Sequence, residues 1–360
     1  MKGPRWTSRV VPILAGFMLG VLFFDGFIVY GFAHPSRIER LPASVVRVFR
    51  NTYIRSRNII QYDESCSRYD DELGWTLKPG TCRFVNSEFS IAISANSLGL
   101  RDSEESLRGP QIIVLGDSYA MGWGVPEAAT FPQVIARSTG ERVLNAGIAG
   151  YGTVREMRLL DRLDVSRLST LIVEYCPNDY DEDNGEYFRR KNVYVPMPRA
   201  QYENMLENDR KRRRYFLGKY AFDVVEGALS TLLRTSPVTA VKADAGSPVR
   251  PDAEAAAFLN ALTHAARARL THVRIIVFST GNAEFIAALR AAITKSRSPS
   301  WVKHIEVVDL PEEARSGFVL DDHWSARGHA LVAAALLHRL GVSPDDQLRS
   351  GGADYLRAAR

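Results

Sequence analysis

The sequence predicts an α/β fold of three layers, in which helices cover both faces of a five-stranded parallel sheet. Two observations support this. Between residues 111 and 310, five short apolar segments alternate with helical patterns: "QIIVLG", "RVLNAG", "TLIVEY", "VRIIVFST" and "IEVVDL". The chain also has 360 residues, 46% of them hydrophobic, which is enough for a large core. We therefore expect one main domain over residues 109–345, with a tail at 346–360.

Helical periodicity fills the intervals between these strands. The predicted helices are "EAATFPQVIARSTG", which ends at Gly140, then "TVREMRLLDRL", "DAEAAAFLNALTHAARARL", "AEFIAALRAAITK" and the closing "SARGHALVAAALLHRL". Strands that alternate with helices run parallel, so their carboxyl ends meet at one edge of the sheet. Ligands of such sheets bind in the loops at that edge.

The N-terminal region, residues 1–33, contains a long apolar stretch. Val10 to Phe32 is apolar apart from Asp25. At about 1.5 Å per residue, a helix of this length crosses a hydrocarbon core of roughly 30 Å. A carboxylate facing lipid is costly, so we expect Asp25 to face a partner helix or the membrane interface.

The charges that flank this stretch predict its orientation. Lys2, Arg5 and Arg9 precede it, which favours a cytoplasmic N-terminus and export of the rest of the chain. The alternatives are a cleaved signal peptide, with Gly31 and Ala33 as the small residues before the cut, and a buried hydrophobic hairpin.

Two segments separate the apolar stretch from the main domain. Residues 34–61 alternate arginines with aliphatic residues and predict a basic amphipathic connector beside the membrane surface. Residues 62–108 contain "FSIAIS", "KPG" and "NSLG", which predict a small β-rich lead-in. Cys66 and Cys82 flank turn signals there, so they form either a disulfide or two free thiols. The lack of a C-x-x-C pair argues against a structural zinc site.

Residues 181–250 interrupt the alternation of strands and helices. This insertion is rich in charge, Tyr and Asn and includes "ENDRKRRRYFLGKYAF", so we expect a lid, a binding arm or a partly mobile segment. Its Arg/Lys run would contact an anionic glycan or lipid headgroups, or form a solvated helix face. The net charge of +5 does not by itself indicate a nucleic-acid partner, and no nucleic-acid motif appears, so we expect none.

The ends of the predicted strands carry residue types that suit nucleophilic catalysis. Ser118 follows the first strand at a strand-to-helix turn, where a nucleophile is accessible. A serine nucleophile needs a base, and "DDHWSARGH" after the fifth strand offers His323 beside Asp321 and Asp322. His329 lies on the following helix, where packing or capping is expected.

Donors for an oxyanion are available at the same edge. The glycines of "NAGIAGYGT" free backbone N–H groups after the second strand, and Asn178 in "CPNDYDED" offers an amide after the third. Four strand ends in order thus present Ser, Gly, Asn and Asp/His.

These stretches resemble the four sequence blocks of the GDSL, or SGNH, hydrolase family, over about residues 110 to 340 with the insertion poorly matched. The resemblance implies a flavodoxin-like SGNH hydrolase fold. It implies that Ser118 is the nucleophile and, through its N–H, an oxyanion donor. The other oxyanion donors it implies are Gly150, with Gly147 as second choice, and Asn178.

The resemblance makes His323 the base but leaves the acid open. The usual family spacing, Asp-x-x-His, would place the acid at Leu320. This chain has Asp321 two residues before His323 and Asp322 next to it, and we favour Asp321.

The resemblance implies a serine esterase that needs no metal or organic cofactor and hydrolyses an O-acyl ester, with an O-acetyl group on an envelope glycan as our hypothesis. "YDDELGWTLKPG" and "NSLGLRDS" resemble the lead-in of membrane-anchored bacterial members. We therefore expect a single-pass protein of the bacterial inner membrane whose catalytic domain faces the periplasm or exterior. The alternatives are an O-acyltransferase that uses the same triad and a non-catalytic glycan-binding or assembly protein.

Overall fold

The structure is a computed structural model that describes residues 7–233, 250–265, 270–295 and 300–342. Lys2 and Arg5, the last part of the predicted insertion and the predicted tail at 346–360 lie outside the described residues.

Three helices form the N-terminal part: α1 (Thr7–Ala33), α2 (Pro35–Ile38) and α3 (Ala43–Ser56). Within α1, Val10–Ala33 is long and apolar enough to cross a membrane, with a mean hydropathy of 2.1. The last turns of α1 pack on α3, where the Phe27 and Phe32 rings lie 5.2 and 6.5 Å from the ring of Phe49. The predicted apolar helix is confirmed, and its C-terminal half packs against α3.

Two antiparallel hairpins confirm the β-rich lead-in. β1 (Ser67–Asp70) pairs with β2 (Gly74–Leu77), and β3 (Gly80–Asn86) pairs with β4 (Phe89–Ala95). Alternate residues of β4 are buried, as expected for a strand with one face on a core. The structure joins Cys66 to Cys82 by a disulfide that ties the first hairpin to the second.

The central sheet has five parallel strands, as predicted. They are β5 (Ile112–Leu115), β6 (Val143–Asn145), β7 (Thr170–Tyr175), β8 (Arg274–Ser279) and β9 (Glu306–Val307). Their order across the sheet is β6-β5-β7-β8-β9. All residues of the inner strands β5 and β7 are buried, because helices cover both faces of the sheet. β9 is shorter than its apolar segment predicts and lies at the edge of the sheet.

In the part of the chain that the structure describes, eight further α-helices follow: α4 (Ser118–Met121), α5 (Phe131–Thr139), α6 (Thr153–Leu160), α7 (Arg199–Arg213), α8 (Lys219–Leu233), α9 (Pro251–His264), α10 (Ala283–Lys295) and α11 (Ala326–Leu340). α5 and α11 pack on one face of the sheet, and α6, α9 and α10 pack on the other. The three predicted layers are therefore present.

The described part of the insertion is helical and packed. A π-helix (Asp181–Tyr187) follows β7, α7 lies against α3 and β2, and α8 lies against α1 and α3. Arg212 donates to the backbone carbonyls of Arg55 and Arg57 at 2.6 and 2.8 Å, and it also pairs with the buried Asp209. Arg212 therefore caps the end of α3, whereas Arg210 and Lys211 of the same run are exposed.

Candidate active site

A tight turn presents Ser118 at the carboxyl edge of the sheet, directly after β5. Gly116 has φ +153°, and a Cβ there would lie 2.5 Å from Oε2 of Glu174, so a side chain has no room. The carboxylate of Asp117 caps α4 by accepting from the N–H of Tyr119 at 2.9 Å. The sequence "GDS" therefore folds into a turn that places Ser118 at the first position of α4.

A hydrogen-bonded chain of three side chains runs from this turn to the loop between β9 and α11. Oγ of Ser118 lies 2.7 Å from Nε2 of His323, and Nδ1 of His323 lies 2.6 Å from Oδ1 of Asp321. All three residues are buried, and Ser118 retains 8% exposure. The structure thus brings the predicted nucleophile, base and acid together in the order that acyl transfer requires.

The two adjacent aspartates have different positions around the imidazole. Oδ1 of Asp322 lies 3.3 Å from Nδ1 of His323, farther than the 2.6 Å of Asp321. The side chain of Asp321 is fully buried, whereas that of Asp322 is 38% exposed. The geometry therefore favours Asp321 as the acid, as the sequence analysis does.

Trp123 and Tyr119 hold the imidazole ring in place. The Trp123 ring stacks on that of His323 with centroids 4.6 Å apart and planes 13° apart. Its Nε1–H also donates to Oδ2 of Asp321 at 3.2 Å. Tyr119 lies 4.8 Å from the imidazole centroid and donates to the backbone carbonyl of Asp322 at 2.9 Å. Sequence reasoning missed both aromatic residues, although they lie one and five residues after Ser118.

Two residues from the N-terminal region also contact the acid. Nη1 of Arg57 lies 2.9 Å from Oδ1 of Asp321 and 2.5 Å from Oδ1 of Asp322. The hydroxyl of Tyr53 donates to Oδ2 of Asp321 at 3.3 Å. The prediction for residues 34–61 missed this contact, because their alternating pattern resembles that of a membrane-surface helix. In the structure, the C-terminal end of α3 is part of the candidate site.

The backbone of the loop that carries Asp321 is held by the β-rich lead-in and by the N-terminal helices α1 and α3. Glu88 accepts hydrogen bonds from the N–H groups of Val319, Leu320 and Asp321 at 2.7, 2.7 and 2.8 Å. Leu320 is fully buried in a cluster that includes Ile28, Phe32, Phe49 and Tyr53. Leu320 occupies the position where the usual family spacing would place the acid. It makes an apolar contact with α1 and α3 instead.

Burial and the neighbouring charges shift the pKa values of Asp321 and His323 in opposite directions. Burial alone would raise the pKa of Asp321, but the charges of Arg57 and His323 outweigh it and hold that pKa below its usual value. Burial would likewise lower the pKa of His323, but the charge and hydrogen bond of Asp321 raise it to about 9. The resting site therefore holds an imidazolium beside a carboxylate at neutral pH.

The predicted oxyanion donors differ in whether their N–H groups already donate a hydrogen bond within the protein. The N–H of Gly147 is bonded to Oδ1 of Asn145 at 3.1 Å. The N–H of Gly150 has no acceptor among the described residues. Asn178 is exposed after β7, and its amide has no hydrogen bond to any described residue. Gly150 and Asn178 therefore stay the predicted donors, together with Ser118, whose N–H is at the start of a helix.

His329 is placed as the sequence suggests. It is buried on α11, and its Nδ1 accepts from the N–H of Phe131 at 3.3 Å. Burial lowers its pKa to about 3, so the ring is neutral and serves as an acceptor at the start of α5.

Buried carboxyl groups lie behind the nucleophile turn. Burial raises the pKa of Glu174 well above its usual range, and the charge of Asp117 adds to the shift. Burial also raises the pKa of Asp117. Glu156 is fully buried, and neither of its oxygens has a hydrogen-bond partner among the described residues. Burial therefore favours the protonated forms of Glu174 and Asp117 over their charged forms.

Among the described residues, two side-chain clusters have the composition of metal sites, namely Asp117 with Glu174 and Cys176, and Asp321 with Asp322 and His323. Within each cluster the possible ligand atoms lie within 4.8 Å of one another. Hydrogen bonds and ion pairs within the protein engage both clusters, but Oε1 of Glu174 has no hydrogen-bond partner among the described residues. That the protein needs no metal stays a prediction.

Comparison with known proteins adds a distant likeness. No protein-family model matches the chain, and no curated protein matches it. A solved structure from Desulfitobacterium hafniense is similar to it. That protein is provisionally described as a lipolytic protein of the G-D-S-L family, and the match covers 63% of this chain and 97% of that one. The identity is 13% and the TM-score is 0.31, so the likeness carries no argument about this site.

Proposed function

We propose that the protein is a serine esterase that hydrolyses an O-acyl ester through an acyl-enzyme on Ser118. One observation carries the proposal, namely the hydrogen-bonded chain from Asp321 through His323 to Ser118. Such a chain on the carboxyl edge of a parallel sheet supports acyl transfer irrespective of fold family.

The mechanism follows from the placement of each group. Oγ of Ser118 attacks the ester carbonyl carbon while Nε2 of His323 takes its proton. The imidazolium is stabilised by Asp321, and the N–H groups of Ser118 and Gly150 with the Asn178 amide bind the oxyanion. The carbonyl re-forms, and the alcohol leaves with the proton from His323. Water, deprotonated by His323, then attacks the acyl-serine, and the bond between the acyl carbon and Oγ breaks. Oγ of Ser118 takes the proton back from His323, and the carboxylic acid leaves.

We further propose that α1 anchors the protein in a bacterial inner membrane and that the active domain faces the periplasm or exterior. The length and apolar composition of α1 support the anchor. The disulfide between Cys66 and Cys82 supports an oxidising compartment. In that compartment the expected substrate is an O-acetyl or short acyl ester on an envelope glycan.

The test uses the full chain in detergent with two classes of substrate. We expect release of acetate from p-nitrophenyl acetate and from an O-acetylated polysaccharide, with the Ser118→Ala variant inactive. Hydrolysis of long-chain lipid esters only, with no action on the acetylated glycan, would refute the substrate assignment.

Transfer to a sugar hydroxyl instead of water uses the same acyl-enzyme. Adding an acceptor glycan to the reaction separates the two outcomes: acetylated glycan shows transfer, and free acetate alone shows hydrolysis. If Ser118→Ala restores the cellular role of a deletion strain, the protein acts without catalysis, and the proposal is wrong.

A further inference from the structure

Large apolar side chains are exposed at the turn between α7 and α8. Phe216 is 54% exposed, and Tyr215 and Leu217 beside it are also exposed. α8 continues this surface with Phe222 and Val225, which lie on one face of the helix. A contiguous exposed patch of this kind marks an interaction surface. We call residues 215–229 the α8 segment.

Asp25 fixes the α8 segment against α1. The buried carboxylate of Asp25 accepts from the N–H groups of Gly218 and Ala221 at 2.7 and 3.3 Å and from the hydroxyl of Tyr215 at 3.1 Å. A carboxylate at the N-terminus of a helix is favourable, because the first N–H groups there lack partners. The charge that interrupts the apolar stretch of α1 therefore binds the start of α8.

The contact lies well inside the apolar stretch of α1. A Cβ on Gly218 would lie 3.2 Å from Cγ1 of Val21. Val21 precedes Ala33, the last residue of α1, by about 18 Å at roughly 1.5 Å per residue. If α1 crosses a membrane, Phe216 and Leu217 reach the depth of the acyl chains.

Basic residues precede the α8 segment. The run from Arg210 to Arg214 ends directly before Tyr215. Arg212 and Arg213 pair with the buried Asp209, whereas the side chains of Arg210 and Lys211 are 54% and 70% exposed and pair with exposed glutamates. A basic stretch followed by an apolar one is the pattern of a segment that lies in a membrane interface, with its cations among anionic headgroups.

We propose that the α8 segment is a second membrane contact, which inserts its exposed apolar face among lipid acyl chains in the leaflet that holds the C-terminal half of α1. Direct contact with α1 favours lipid over a protein partner as the occupant of this face. The inference rests on the proposed role of α1 as a membrane anchor.

The experiment places an environment-sensitive fluorophore at single cysteines in the full chain with Cys176→Ser, reconstituted in phosphatidylethanolamine–phosphatidylglycerol vesicles. The labelled variants are Phe216→Cys, Phe17→Cys in α1 and Lys211→Cys. All three positions are exposed, so the substitutions remove no buried contact. Quenching by doxyl-labelled lipid and by aqueous iodide is measured for each.

We expect the label at position 216 to behave like the one at 17, with strong quenching by doxyl lipid and at least a fivefold lower iodide quenching than at 211. If position 17 is lipid-quenched but 216 is quenched by iodide as strongly as 211, the second contact is refuted while the anchor stands. If position 17 is open to iodide, the anchor fails and the inference falls with it.

Discussion

Arg57 and Asp321 are 264 positions apart in the chain, yet Nη1 of Arg57 lies 2.9 Å from Oδ1 of Asp321. This ion pair joins the C-terminal end of α3, which follows the apolar helix α1, to the proposed acid of the triad. Both side chains are almost fully buried, at 9% and 0% exposure. Because a buried carboxylate is stable only when it is paired, Arg57 is a positioning residue for the site.

Replacement of Arg57 tests this role. Arg57→Gln leaves two neighbouring carboxylates without their cation, so the pKa of Asp321 should rise, and kcat should fall by about tenfold, or roughly 1.4 kcal/mol. KM for a small ester should change little. The rising limb of the pH–rate profile, which the pKa of His323 sets, should move to higher pH, because a neighbouring positive charge is lost.

The matched control is Arg57→Lys, which keeps the charge and should recover part of kcat. A purely structural role predicts equal loss of stability in both variants with an unchanged pH profile. That result would contradict the assignment.

Trp123 contributes through two separable contacts, stacking on His323 and a hydrogen bond to Asp321. Trp123→Phe keeps an aromatic face but removes the Nε1–H donor, so we expect a moderate loss of kcat, about three- to tenfold. Trp123→Ala removes both contacts and should lose considerably more. The measurement is kcat on p-nitrophenyl acetate for both variants. Equal activity of Trp123→Ala and wild type would contradict the role.

The pH dependence follows from the pKa of His323, which is raised to about 9. The imidazole must be neutral to take the proton of Ser118, and it is protonated below its pKa. The value of kcat/KM should therefore rise with pH, about tenfold per unit, and level off near pH 9. Rates are measured between pH 6 and 10, with the Ser118→Ala background subtracted. A plateau already reached at pH 7 would contradict the raised pKa.

Glu156 makes the folded state less stable as pH rises. Burial raises its pKa well above the usual value, so the folded protein favours the protonated form, and stability falls once the pH exceeds the pKa of the unfolded chain. Glu156→Gln should therefore raise Tm at pH 8 and change it little at pH 5. Glu312→Gln, on an exposed helical turn, is the control. An equal Tm change at both pH values would refute this account.

The disulfide between Cys66 and Cys82 should stabilise the protein measurably. The two cysteines are 16 residues apart, and a loop of that size corresponds to about 3 kcal/mol in the chain-entropy description. A reducing agent should lower Tm to that of the Cys66→Ser/Cys82→Ser double variant, and it should not affect the double variant itself. If reduction leaves the wild-type Tm unchanged, the bond is absent or without effect.

Local patterns predicted the central fold well. The five strands and their helices could be predicted because each segment carries its own apolar periodicity. The β-rich lead-in could be predicted because Gly and Pro mark its turns. The proximity of Ser118 and His323 followed from the rule that parallel strands end at one edge. Their catalytic roles, with that of Asp321, stay predictions.

Contacts between distant segments could not be predicted in this way. Arg57 and Tyr53 follow the pattern of an exposed basic helix, and no local signal shows that one end of it packs on a loop far along the chain. Arg212 likewise belongs to a charged run, and its role as a cap for α3 depends on how α7 packs. Both cases are decided by tertiary packing of the insertion and the anchor region around the site.

The central claim is that Ser118 is an activated nucleophile. The most direct measurement is labelling of the full chain by a fluorophosphonate probe, with the Ser118→Ala and His323→Ala variants beside it. The full chain is required because Leu320, next to the proposed acid, packs in one cluster with Ile28 and Phe32 of α1. We predict labelling of the wild type, none of Ser118→Ala and strongly slowed labelling of His323→Ala. Absence of labelling in the folded wild type, or equal labelling of Ser118→Ala, would contradict the account.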